Sequence, residues 1–119
     1  MRKIWRDYTF EAAHRLPNLP AEHKCSRLHG HTYYVRVTVQ GEVDSMLGWV
    51  MDYAHLDGCW DVVYDLLDHR YLNEIEGLSN PTTEVLQPWI AVRISLALPS
   101  RVELVEVRVK EGADGGGCA

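Results

Sequence analysis

Residues 28–41 carry the pattern that most restricts how this chain can fold. His29, His31, Tyr33, Val35, Val37 and Val39 alternate with Gly30, Thr32, Tyr34, Arg36, Thr38 and Gln40. That period of two places the first set on one face of a β-strand and the second on the other. One set is largely apolar and the other polar, as in a sheet covered on a single face. Residues 3–14 read as a first strand of the same kind, with Tyr8, Phe10, Ala12 and His14 on one side. Residues 102–111 read as a last strand, in which Glu111 continues the face of Val105, Val107 and Val109.

Two helices separate these strands. Tyr53, Leu56, Trp60, Val63, Tyr64 and Leu67 recur at three- and four-residue spacing over residues 53–67, with Asp52 placed to cap the start. Asn80-Pro81 opens the second helix, whose stripe is Leu86, Trp89, Ile90, Ile94 and Ala97. Pro88 lies inside it, where a proline costs ~3 kcal/mol, so the helix either bends there or starts its regular part later. Pro17, Asn18 and Pro20 mark residues 15–27 as a loop. Short extra strands are expected near residues 47–51. The stretch from Gly112 to Ala119 has four glycines in eight residues and reads as a loose tail. The order is that of an α+β fold, an antiparallel sheet with its helices on one face. A length of 119 residues predicts one domain over 1–119.

Composition narrows the function. At 46% hydrophobic and 24% charged residues, the chain can bury a core and is not a disordered segment. The net charge is −5 and the basic residues are scattered singly, which argues against a nucleic-acid partner. No apolar run reaches the roughly 18 residues of a membrane span, and charged residues occupy the start where a secretory signal needs apolar ones. A cytoplasmic location is expected. Cys25, Cys59 and Cys118 form no CxxC pair and are odd in number, which fits a reducing compartment.

The chemistry concentrates at His29-Gly30-His31. On a strand, residues i and i+2 share a face about 7 Å apart, close enough for two imidazoles to converge on one ion. A catalytic zinc site takes three protein ligands and keeps one position open. His14 closes the face of the first strand as His29 and His31 open that of the second, so the three rings can meet at one end of the sheet if the strands pair antiparallel; the alternative is that His29 and His31 are surface or satisfied core histidines. His23 and His55 read as ordinary polar residues. Cys25, between Lys24 and Arg27, admits three readings: a general base with a lowered thiol pKa, an inert loop thiol, or a fourth zinc ligand. Asp68-His69 closes the first helix, either as a carboxylate–imidazole proton shuttle or as a histidine answering the helix dipole. Glu111 either accepts two N–H donors of a ligand or reaches solvent from the strand end.

Taken together, several stretches resemble the 6-pyruvoyltetrahydropterin synthase superfamily. They are Phe10-Glu11-Ala12-Ala13-His14, the run from His23 to His31, Leu67-Asp68-His69-Arg70-Tyr71-Leu72-Asn73, Asn80-Pro81-Thr82-Thr83-Glu84, and Lys110-Glu111. The Cys25 spacing and short chain look most like its bacterial 6-carboxytetrahydropterin synthases of queuosine biosynthesis. The resemblance implies the tunnelling fold: a four-stranded antiparallel sheet with two helices, trimers whose sheets close into a barrel, and two trimers stacked as a homohexamer. It implies zinc on His14, His29 and His31, Cys25 as the base, and Asp68 with His69 from a neighbouring subunit as a proton relay. Glu111 would anchor the pterin, with Thr82 and Thr83 in its pocket. The implied substrate is 7,8-dihydroneopterin triphosphate, and the products are 6-carboxy-5,6,7,8-tetrahydropterin, acetaldehyde and triphosphate. Two alternatives remain: triphosphate elimination to the pyruvoyl product, and a non-catalytic zinc-stabilised binding module. Lys24, Arg27 and Arg15 are candidates for holding triphosphate. The family pattern has Thr where this chain has Gly112, and an aromatic residue near the end that the tail lacks.

Overall fold

The computed structural model describes residues 1–113 and 115–118. Strands β1 (Arg2–His14) and β2 (His29–Gly41) pair antiparallel along their whole length, from Arg2 opposite Gly41 to His14 opposite His29. Helix α1 spans Tyr53–Leu67, β3 Arg70–Tyr71, α2 Thr83–Ala97, β4 Glu103–Glu111 and β5 Gly115–Cys118. The fold is α+β, with both helices packed on the face carrying Phe10, Tyr33, Val35, Val37, Val107 and Val109.

The sheet has five strands in the order β3-β1-β2-β4-β5, and β3 runs parallel to β1. That corrects the expected four-stranded antiparallel sheet, and each added strand has a local cause. His69, at φ +56°, turns the chain out of α1 and lays Arg70–Tyr71 beside Ala12–Ala13. Gly112, at φ +70°, reverses the chain after β4, so the expected loose tail pairs with Arg108–Glu111 as β5. That backbone region favours glycine, and Thr here would be strained. The extra strands expected at 47–51 are absent among the described residues. The Asp44 carboxylate accepts the amides of Met46 and Leu47, both at 2.9 Å, and Gly48 sits at φ +77°, which makes a turn.

One apolar face is also corrected. Val35 and Val37 pair with Val109 and Val107, but a bulge after Thr38 sets Val39 opposite Leu104. Val105 becomes the extra residue of the bulge and is half-exposed, while Leu104 packs on the core in its place.

Helix α1 has the expected bounds, and the Asp52 carboxylate accepts the Ala54 amide at 2.8 Å. Leu56, Cys59, Trp60, Val63 and Leu67 are buried, whereas Tyr53 and Tyr64 lie half-exposed beside that stripe. Helix α2 starts at Thr83 behind the Thr82 cap, which corrects the expected opening at Asn80-Pro81: the Thr82 hydroxyl takes the capping role and leaves Pro81 outside the helix, which continues through Pro88. Pro88 is exposed, so water can serve the Glu84 carbonyl that loses its N–H partner.

Candidate metal centre and active site

The β1–β2 register assembles the centre. His14 faces His29 across the pair, and His31 follows on the same face of β2. The ligand nitrogens of the three imidazoles lie within 4.8 Å of one another. The rings stand edge to face, with centroids 4.5, 5.0 and 4.9 Å apart.

Backbone carbonyls fix two of the tautomers. His14 Nδ1–H donates to the Pro81 oxygen at 2.9 Å, and His29 Nδ1–H donates to the Arg27 oxygen at 2.7 Å. A carbonyl only accepts, so each Nδ1 carries the proton and each neutral ring presents a lone pair at Nε2. Those two Nε2 atoms face each other at 3.0 Å. Two lone pairs at that separation repel unless a cation or a proton lies between them. Burial disfavours the charged form of His14, which favours the neutral ligand form. His31 Nε2 is buried without a hydrogen-bond partner. Facing lone pairs and an orphaned ring nitrogen are the donor set a divalent metal would satisfy, and the outward carbonyl bonds are typical of metal-binding histidines.

Glu111, opposite Tyr33 on β4, brings Oε2 to 3.7 Å from His31 Nε2, an ionic approach longer than a hydrogen bond. Cys25 sits half-buried in a 3₁₀ turn, Lys24–Ser26, and its sulfur lies outside the three-histidine group. The turn is tied to the end of β1, because the Leu16 amide donates to the Cys25 carbonyl at 2.8 Å. His23, expected to be an ordinary polar residue, caps the turn by accepting the Cys25 amide at 3.0 Å. Arg15 donates to the Ser26 carbonyl at 3.3 Å.

Asp68 and His69 form a bonded pair. The left-handed turn at His69 lets its Nδ1–H reach Asp68 Oδ2 at 2.6 Å, while the Glu11 amide donates to Oδ1 at 2.9 Å. Burial works to raise the Asp68 carboxyl, but the Glu11 amide, His69 and Tyr64 outweigh it and hold the group below the usual range. His69 and His31 line the same groove, with Glu11, Gly30, Arg70 and Tyr71. Thr82 and Thr83 are engaged at the start of α2. The Thr82 hydroxyl accepts the Val85 amide at 3.2 Å, and Thr83 donates to Glu84 at 2.9 Å. The chain reaches the centre one residue earlier, at the Pro81 carbonyl. The carbonyls of Pro81 and Arg27, the Tyr33 hydroxyl and the His23 cap were not foreseen. The motif around Asn80-Pro81 was the one available signal.

Fold and site define an α+β protein built round three convergent imidazoles, with an acid–imidazole pair beside them. The family model for 6-pyruvoyl tetrahydropterin synthase matches residues 3–118. The chain is 41% identical over 112 residues to the 6-carboxy-5,6,7,8-tetrahydropterin synthase of Synechocystis, covering 87% of this chain and 83% of that one. It is also 41% identical over 108 residues to the dihydroneopterin monophosphate aldolase of Pyrococcus furiosus, covering 91% and 88%. The solved 6-pyruvoyl tetrahydropterin synthase of Caenorhabditis elegans superposes with a TM-score of 0.88 at 28% identity, over 99% of this chain and 94% of that one. The chain belongs to the 6-pyruvoyl tetrahydropterin synthase family and is a pterin-processing enzyme.

Proposed function

We propose that the chain converts 7,8-dihydroneopterin triphosphate to 6-carboxy-5,6,7,8-tetrahydropterin, acetaldehyde and triphosphate, in cytoplasmic synthesis of a queuosine precursor. The observation that carries the reading is the convergence of His14, His29 and His31, with two tautomers held by backbone carbonyls. The Synechocystis relative, at 41% identity, bears the name of this activity.

His14, His29 and His31 would hold zinc. When bound, the ion supplies Lewis acidity toward the hydroxyls of the substrate side chain and acidifies the adjoining C–H. Cys25, as thiolate, takes that proton from the turn in which Lys24 and Arg27 flank it. His69 of a neighbouring subunit, oriented by its Asp68, would return a proton. Glu111 accepts the amino and ring N–H edge of the pterin in a two-point contact, beside His31. Thr82 and Thr83 stand at the pterin pocket, and Lys24, Arg27 and Arg15 are the cations nearest in sequence for the triphosphate. Neighbouring subunits of a trimer, two of which stack as a hexamer, would complete each site. The separation of Cys25 from the three-histidine group favours an open metal position over the closed centre of a structural zinc module.

A second reading has its own support. The Pyrococcus furiosus aldolase is equally identical and matches a larger share of both chains. This chain would then cleave a carbon–carbon bond of dihydroneopterin monophosphate. Mass spectrometry after zinc-loaded protein meets each phosphate separately decides between them. A carboxytetrahydropterin with acetaldehyde from the triphosphate supports the synthase. A pyruvoyl product moves the chain to the sister reaction, and turnover of the monophosphate alone moves it to the aldolase.

A further inference from the structure

Tyr33 is the largest fully buried side chain, at 0% exposure. Its ring stacks on Phe10, its direct partner across β1–β2, with centroids 4.7 Å apart and planes 6° from parallel. The same ring stands edge-on to His31 at 5.6 Å and to His14 at 6.1 Å. A phenyl group would fill this space equally well, as it does at Phe10. A hydroxyl taken out of water is costly unless it finds a partner. Here its partner is the metal centre: the oxygen lies 3.2 Å from His14 Nδ1.

His14 Nδ1–H therefore has two acceptors, the Pro81 carbonyl at 2.9 Å and the Tyr33 hydroxyl at 3.2 Å. They belong to different elements. Pro81 lies in the segment entering α2, and Tyr33 is in the middle strand of the sheet. Rotation of the imidazole would lose both bonds, so the ring is referenced to the sheet as well as to the loop.

We propose that the Tyr33 hydroxyl is a positioning group that holds His14 with Nε2 turned toward His29 and His31 as a metal ligand. The inference rests on the reading of the three histidines as a metal centre. The hydroxyl bonds His14 at Nδ1, not at the Nε2 that faces His29, so it acts through the orientation of that ring.

The test is Tyr33→Phe, which keeps the packing and removes one acceptor. Zinc affinity is measured by chelator competition, and the ligand field by the visible absorption of the cobalt-substituted protein. Loss of such an outer partner weakens metal binding by about ten- to a hundredfold. With the Pro81 bond still present, the lower end, about tenfold, is expected, along with a shifted cobalt spectrum. The metal-free variant should melt no lower than the metal-free parent. Tyr34→Phe, on the opposite face of β2, should change neither readout. Parent protein that binds zinc, with Tyr33→Phe matching it in affinity and cobalt spectrum, overturns the positioning role and leaves the metal centre standing. Weaker binding with an unchanged cobalt spectrum and a lower metal-free melting point would also overturn it, because the hydroxyl would then be structural. Parent protein that binds neither ion overturns the metal centre itself, and this inference with it.

Discussion

His14 and His29 each spend Nδ1 on a carbonyl and aim Nε2 inward, so the reactive end of the site depends on atoms that have no letter in the sequence. The three imidazoles were legible because strand parity dictates which side chains share a face. The Pro81 and Arg27 carbonyls were not, because any residue supplies the same oxygen. Cys25 illustrates the same boundary. Its position was readable, but its role was not: the sulfur lies outside the histidine group, which speaks against a fourth ligand and leaves general base and inert thiol both open. Cys25→Ala should therefore retain zinc in full while losing turnover by a factor of about a hundred or more, the scale of a lost general base. Metal content beside single-turnover rates checks this, and loss of zinc would make the thiol a ligand. Glu111→Gln keeps the length of the side chain but replaces one acceptor oxygen with a donor and removes the charge, so it cannot receive two parallel N–H bonds on two oxygens. Two charge-assisted bonds correspond to a KM raised by roughly tenfold or more, with kcat much less affected. A fall in kcat at unchanged KM would remove the anchoring role.

At the level of elements, the helices were legible and the short strands were not. The apolar spacing and the Asp52 cap define α1 locally, and its bounds agree with that reading. The bulge that displaces Val105 arises only when β4 meets β2, and nothing in the run of alternating residues announces it. β5 is mostly glycine, so it carries no side-chain pattern, and β3 is too short to have one. Helix α1 is joined to β1 by a polar contact that apolar spacing also missed. Asp57 accepts two bonds from Arg6, at 3.0 and 2.9 Å, and one from Tyr8 at 2.8 Å, while Tyr8 stacks on Trp60. The Arg6 guanidinium holds the Asp57 carboxyl below its ordinary 3.8, against the effect of burial, with help from the Tyr8 hydroxyl. A carboxyl depressed in the folded state stabilises fully above its unfolded value, and that contribution is lost as pH falls through the folded value. Asp57→Asn should thus lower the denaturation midpoint at pH 6, and the gap to the parent should close toward pH 3. A gap independent of pH would show that the contact works through packing alone.

The whole sheet poses a further problem, because its long strands are left with open sides. Among the described residues, the outer edge of β1 is paired only at Ala12 and Ala13, and that of β4 only from Arg108 to Glu111. The open stretches, Arg2–Glu11 and Glu103–Val107, both begin at the end of the sheet where Arg2 and Gly41 meet. Free N–H and C=O groups in such rows recruit other strands, and closure into a barrel removes them. The face of the sheet away from the helices is polar, with Arg36 paired to Asp7 and Lys110 set over Tyr34. It therefore suits a wetted lumen better than a dry interface. Closure through these edges would set β1 of one subunit beside β4 of the next, and β5 limits the pairing to the open part of β4. Native mass spectrometry should accordingly give three or six times the 13.6 kDa chain mass. Removing residues 113–119 frees the rest of the β4 edge, so it should preserve or tighten that assembly. A monomer at micromolar concentration would exclude edge closure. Loss of assembly on truncation would instead place the tail within the subunit contact.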